Sequence, residues 1–161
     1  MKIIYFTGKP SNYAQITNSI SRSAQPQKED FKWLKDQGVT DVINFRTMRV
    51  AGINFDEKNI VESLGMKYHN IPTHTQKPKD TQVKKFLNLI DSITKNNRKA
   101  HIHCRAGADR TGMYAFIYKS MKNIGTEPEN IKEWIDHGLH QKLYPNLISW
   151  AKGCVSRLKN K

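Results

Sequence analysis

Apolar and polar positions along the chain change period several times, and each change marks an element. Residues 1–24 read as an N-terminal arm with one or two short strands, closed by the polar run SRSAQP at 21–26 and its proline. Phe31, Trp33 and Leu34 predict a short amphipathic helix that stops at Gln37-Gly38. Val39 to Phe45 alternates into an apolar run and reads as a strand. Residues 54–64 predict a helix ending at Gly65, and Met66 to Ile71 a further strand.

A polar loop follows, IPTHTQKPK from Ile71 to Lys79. Asp80 stands where a helix N-cap is expected, with Val83, Phe86, Leu87, Leu89, Ile90 and Ile93 as the apolar stripe behind it. Asn96-Asn97 break that helix. Lys99 to His103 predicts a short strand, Thr111 to Met121 a helix, and two more helical segments lie near 128–138 and 143–158. Strands alternating with helices predict one α/β domain over residues 1–161. Its central, mostly parallel sheet has about four to five strands flanked by helices. Ligands in such sheets sit at the carboxyl ends of strands, where a loop enters a helix. Within the segment 99–124, His103 to Thr111 is such a junction.

Charge narrows the picture. Among 161 residues, 27 Lys and Arg stand against 14 Asp and Glu, a formal charge of +13 that favours polyanionic partners. The apolar stretch Ile3 to Phe6 is too short for a signal-peptide core, and no window approaches the ~20 apolar residues of a membrane span. The expected location is cytoplasmic. Two cysteines, Cys104 and Cys154, argue against a disulfide framework.

The chemistry concentrates in His103-Cys104-Arg105-Ala106-Gly107-Ala108-Asp109-Arg110-Thr111-Gly112. A phosphate monoester is a dianion with three peripheral oxygens, so its site needs many donors converging on one point. A loop around a helix N-terminus supplies them, because unpaired N–H groups point inward at the positive end of the dipole. Arg105, Ala106, Gly107 and Ala108 would form that binding loop. Gly107 lets it turn, and Gly112 lets the first helical turn pack closely. Such a position favours the thiolate of Cys104, the candidate nucleophile. Arg110 returns around the loop and offers a bidentate grip on two phosphoryl oxygens. Thr111 is placed to donate to the departing sulfur, and His103 to orient the loop.

HCRAGADRTG resembles the phosphate-binding loop of the protein tyrosine phosphatase superfamily, H-C-x5-R-[ST]-G, as found in small dual-specificity phosphatases. SRSAQP at 21–26 and VINFR at 42–46 are similar to two further landmarks of that group, in the same order. The resemblance covers roughly residues 20–125. It implies the cysteine phosphatase fold and a phosphocysteine intermediate hydrolysed by water, with no metal or organic cofactor.

The family usually carries an aspartate on a mobile loop before the cysteine, to protonate the leaving oxygen. The matching segment, Ile71 to Lys79, contains no Asp or Glu. Asp109 is the preferred replacement, as in myotubularin-like and some bacterial lipid-active phosphatases. A carboxylate beside a bound dianion is repelled and tends to keep a proton. Asp80, equally well read as a cap, and His74 are the alternatives. His101, His103 and Cys104 read poorly as a metal set. His137 and His140 read as surface or helix-end residues, and Trp33, Trp134 and Trp150 as core. Arg46 and Arg49 are candidates for lining the site, or surface residues, and Cys154 is expected to be inert.

The expected substrate is a phosphorylated protein, a phosphoinositide or an inositol phosphate. An RNA 5′-triphosphatase on the same scaffold, a non-catalytic phosphate-binding module and a rhodanese-like sulfur carrier are the competing readings, and oligomeric state is left open.

Overall fold

The structure, a computed structural model, describes residues 8–48 and 51–160. Arg49 and the apolar stretch Ile3 to Phe6 lie outside the described residues. Within these residues five strands form one sheet: β1 (Ala14–Thr17), β2 (Ile20–Ser23), β3 (Asp41–Asn44), β4 (Lys67–Asn70) and β5 (Ala100–His103). Their order is β1-β2-β5-β3-β4, antiparallel between β1 and β2 and parallel elsewhere. The residues expected to form an arm therefore place β2 inside the sheet, beside the central strand.

Among the described residues, six helices accompany the strands: α1 (Lys28–Asp36), α2 (Glu57–Ser63), α3 (Asp80–Lys95), α4 (Arg110–Met121), α5 (Glu127–Asp136) and α6 (Leu147–Lys159). The sheet separates two apolar clusters. Phe31, Leu34, Val42, Val61 and Met66 pack α1 and α2 on one face. Ile43, Ile102, Phe86, Ile90, Ile117 and Ala151 join α3, α4 and α6 on the other. Alternation along β3 explains the division, since Val42 and Ile43 point to opposite faces. Helix α4 is apolar on every side, from Met113 to Tyr118 all buried, and lies inside the second layer. No helix among the described residues is long and apolar enough to cross a membrane.

Register positions the site. His103 at the end of β5 pairs with Ser23 of β2 on one side and Asn44 of β3 on the other. SRSAQP and VINFR therefore leave the sheet on either side of the Cys104 loop.

Asp80 is the first residue of α3, not its N-cap, which is Lys79. Gln82 secures that helix end instead, its Oε1 accepting the Lys79 N–H at 3.0 Å. The last helix begins at Leu147, because 143–146 turns through Pro145 before α6.

Candidate active site

Between β5 and α4 the chain forms a loop in which four consecutive carbonyls are drawn outward. Arg105 O accepts the Gln25 N–H at 3.0 Å, and Ala106 O accepts Asn12 Nδ2 at 3.2 Å. Gly107 O accepts the Arg22 guanidinium at 2.9 Å, and Ala108 O accepts Trp134 Nε1 at 3.0 Å. None of these peptide bonds is cis, and in a trans peptide the N–H points opposite to its C=O. The N–H groups of Ala106, Gly107, Ala108 and Asp109 consequently face the inside of the loop. The first turn of α4 adds its own unpaired N–H groups. Donors converging in this way can hold an anion.

Two glycines make the cradle possible. Gly107 has φ +70°, and a Cβ there would lie 2.5 Å from Ala24 N. Gly112 supports the indole whose N–H holds Ala108: a Cβ at 112 would lie 2.1 Å from Trp134 Cδ1. Trp134 is buried as expected of a core residue, and also fixes the loop.

Cys104 is buried at the start of the loop, and Arg110 opens α4 at its end. The Arg110 NH1 group makes long contacts of 3.5 and 3.4 Å to the carbonyls of Phe45 and Thr73, leaving the guanidinium weakly held by protein. Arg22 and Arg46 are buried nearby. Burial pushes the Arg22 guanidinium down from its ordinary value, while Glu133 and Cys104 oppose that shift. Burial also lowers Arg46, followed by Arg105 and Arg110, with Glu57 and Cys104 opposing. The sulfur therefore sits among cations. Thr111 Oγ1 is buried with no hydrogen-bond partner among the described residues, free to donate to a group in the loop.

Behind the loop runs a buried polar chain. The guanidinium of Arg46 donates to Gln25 Oε1 at 2.7 Å, and Gln25 Nε2 donates to Glu57 Oε1 at 2.7 Å. Glu57 Oε2 meets His103 Nε2 at 2.7 Å, and His103 Nδ1 lies 3.2 Å from Cys104 O. Burial would raise the Glu57 carboxyl, yet His103, Gln25 and Arg46 hold it below the usual carboxylate range. Arg46 also donates to Ala51 O. Arg46 is thus an internal strut behind the site. The ring nitrogens of His101 meet Ser21 Oγ and Ser23 Oγ, each at 2.7 Å. No three His, Cys, Asp or Glu side chains gather as a metal set among the described residues.

The acid candidates fall in different places. Asp109 sits in the loop, with its carboxylate bonded to His140. Asp80 is paired with Arg157 through two contacts of 2.8 Å. Arg157 first, against burial, and then Cys154 lower the Asp80 carboxyl. Cys154 is pushed up to about 12 by burial and Asp80. His74 lines an open hollow of about 460 Å³ beside Arg110, together with Thr47, Thr73, Thr75, Lys77 and Tyr144. Arg105 and Ala106 form the exposed rim.

Glu57, Gln25, Asn12, Arg22 and His140 carry roles that sequence reasoning did not assign individually. Gln25 and Arg22 lay within the SRSAQP landmark. A glutamate among the charged residues at the start of α2 offered no comparable signal.

Similarity to known proteins follows the same geometry. The chain is 30% identical over 107 residues to the inositol diphosphatase DSP3 of Arabidopsis thaliana, covering 64% of this chain and 51% of that protein. It is 23% identical over 127 residues to the dual specificity protein phosphatase TpbA of Pseudomonas aeruginosa, covering 79% and 54%. The chain thus spans about half the length of these curated relatives. The fold is shared with a DUF442 protein of Shewanella putrefaciens CN-32, at TM-score 0.78, 22% identity and 98% coverage of both chains. It is also shared with the catalytic core of the PP-IP phosphatase Siw14 of S. cerevisiae, at TM-score 0.70, 17% identity and coverage of 87% and 81%. Residues 17–120 match the model of the DSP-PTPase phosphatases of polymorphic toxin systems, so the chain belongs to that family.

Proposed function

We propose that this chain, acting as one catalytic unit, is a cysteine-dependent phosphatase that transfers a phosphoryl group to Cys104 and then to water. The observation that carries the reading is the outward pull on four consecutive loop carbonyls, which aims the matching N–H groups at one point. The phosphoryl oxygens lie on those donors, and the Arg110 fork grips two of them as charge spreads in the transition state. The Cys104 thiolate attacks phosphorus, the ester bond breaks, and Asp109 supplies a proton to the leaving oxygen. Water then attacks the phosphocysteine, Asp109 takes its proton, and Thr111 Oγ1 donates to the departing sulfur. A reducing, cytoplasmic setting suits this thiolate.

For substrate we favour an inositol polyphosphate or diphosphate. The hollow beside Arg110 presents hydroxyls, Lys77 and His74, which suit a polyhydroxyl polyanion, and the +13 chain attracts one. The names of the Arabidopsis relative and the yeast neighbour agree with this choice. A phosphoinositide is the second reading. A contiguous hollow of about 290 Å³ lined by Pro78, Leu143, Pro145 and Trp150 offers apolar surface to a lipid.

The test is phosphate release from soluble inositol phosphates and diphosphates, phosphoinositide vesicles, phosphotyrosine and phosphoserine peptides, and 5′-triphosphate RNA. The reading predicts the highest kcat/KM on the soluble inositol compounds. Turnover confined to peptides or RNA would overturn the substrate, and release from none of them would overturn the activity.

A further inference from the structure

Asp109 occupies the N-cap position of α4 yet makes no side-chain bond to that helix. Its Oδ1 accepts the backbone N–H of His140 at 2.8 Å, and its Oδ2 lies 2.9 Å from His140 Nδ1. The His140 backbone is fixed in turn, its carbonyl accepting the Leu143 and Tyr144 N–H groups at 3.1 and 2.9 Å. Gly138, at φ +105°, brings this turn against the loop, where a Cβ would touch Ala108 Cβ at 3.4 Å. Asn12 ties both sides together, donating to His137 O at 2.9 Å as well as to Ala106 O. The carboxylate is 13% exposed and the imidazole 55% exposed, so the ring meets solvent while the carboxylate lies against the loop.

Asp109 therefore faces His140 through both carboxylate oxygens, while leaving-group protonation needs a proton on that carboxyl. A phosphate dianion in the adjoining loop repels a carboxylate charge and draws a proton toward it. An imidazolium at 2.9 Å can supply the missing proton without water entering the site.

Resting on the reading of Asp109 as proton donor, we infer that His140 is its proton reservoir and positioning residue. In the free enzyme the imidazolium N–H donates to the Asp109 carboxylate. When a phosphate ester binds, the proton crosses from His140 Nδ1 to Asp109 Oδ2, leaving neutral imidazole and neutral acid. Asp109 passes the proton to the leaving oxygen as the P–O bond breaks and the P–S bond forms. In the second step Asp109 takes a proton from the attacking water as the P–S bond breaks. On phosphate release that proton returns to His140. The net reaction consumes one ester and one water.

The test uses kcat on p-nitrophenyl phosphate, whose leaving group needs little protonation, and on phenyl phosphate, whose leaving group needs more. His140→Asn keeps an amide donor near the Nδ1 position without a transferable proton, and His140→Ala removes the ring. Both variants are expected to lower the phenyl to p-nitrophenyl ratio about 10–100-fold. Added imidazole should restore the ratio in His140→Ala. An unchanged ratio in His140→Asn, or equal losses on both esters, would overturn the inference. Asp109→Asn is run beside them. If it leaves the ratio unmoved, the reading of Asp109 itself fails. If only the His140 variants leave it unmoved, the reservoir alone fails.

Discussion

Glu57 Oε2 and His103 Nε2 meet at 2.7 Å with both side chains buried, one residue from the candidate nucleophile. Because Glu57 starts α2 and His103 ends β5, this contact locks two elements behind the loop. Removing one partner of a buried pair leaves the other uncompensated, at a cost of about 3–5 kcal/mol. Glu57→Ala should lose that much stability in urea unfolding and slow turnover on every ester alike. A loss below about 0.5 kcal/mol, ordinary for surface substitutions, would show that the contact does not brace the loop.

Gly107→Ala should damage the cradle directly. The new methyl would meet backbone at 2.5 Å, and that backbone belongs to the β2 exit holding the loop from outside. Competitive inhibition by inorganic phosphate should weaken at least about 10-fold, a loss of donors rather than of a nucleophile. Gly65→Ala provides the comparison. It shares a positive φ of +82° but meets nothing within 4 Å, so it should cost only backbone strain, about 1–2 kcal/mol. Equal phosphate affinity in both variants would count against the cradle geometry.

Stability should fall as pH is lowered, in two stages. Burial, then His103, pushes His101 well below its ordinary 6.5, so the unfolded chain binds that proton first. This stability is lost progressively as pH drops below about 6.5. Asp41 is held down to about 2: burial would raise it, but hydrogen bonds from His69 and Arg98 prevail. Its contribution is present above its ordinary 3.8 and lost as pH falls toward 2. Thermal melts from about pH 2 to about pH 8 should show both declines. His137, lowered by burial and then Arg22, shares the upper window, so His101→Asn should shrink that decline, and an unchanged decline would contradict the assignment.

Asp80 and Cys154 should prove irrelevant to chemistry. Asp80 is committed to Arg157, and the Cys154 thiol is raised to about 12 by burial and Asp80. Asp80→Asn should leave the phenyl to p-nitrophenyl ratio unchanged. Iodoacetamide at neutral pH should leave the Cys154 peptide unmodified by mass spectrometry. A ratio that follows Asp80 would move the proton donor out of the loop.

The apolar stripes of α1 and α3, the apolar run of α4 and the β5-to-α4 junction were legible because periodicity, composition and a dense local motif carry them. The β2 strand was not read as an integral strand because Ser21, Arg22 and Ser23 are polar yet buried, each bonded to a partner far along the chain. Glu57 and His140 escaped for the same reason. Their roles come from contacts across 46 and 31 residues, which no local pattern encodes. Asp80 looked like a cap because Asp caps helices well, but Gln82 reaches back and leaves Asp80 free for Arg157.

The central claim is a covalent phosphoryl intermediate on Cys104, and rapid quenching with p-nitrophenyl phosphate followed by peptide mass analysis tests it most directly. One phosphoryl group should appear on the Cys104 peptide during turnover, decay as inorganic phosphate forms, and be absent from Cys104→Ser, which should still bind phosphate but release no nitrophenol. Turnover by Cys104→Ser, or wild-type turnover with no phosphoryl group on that peptide, would contradict the account.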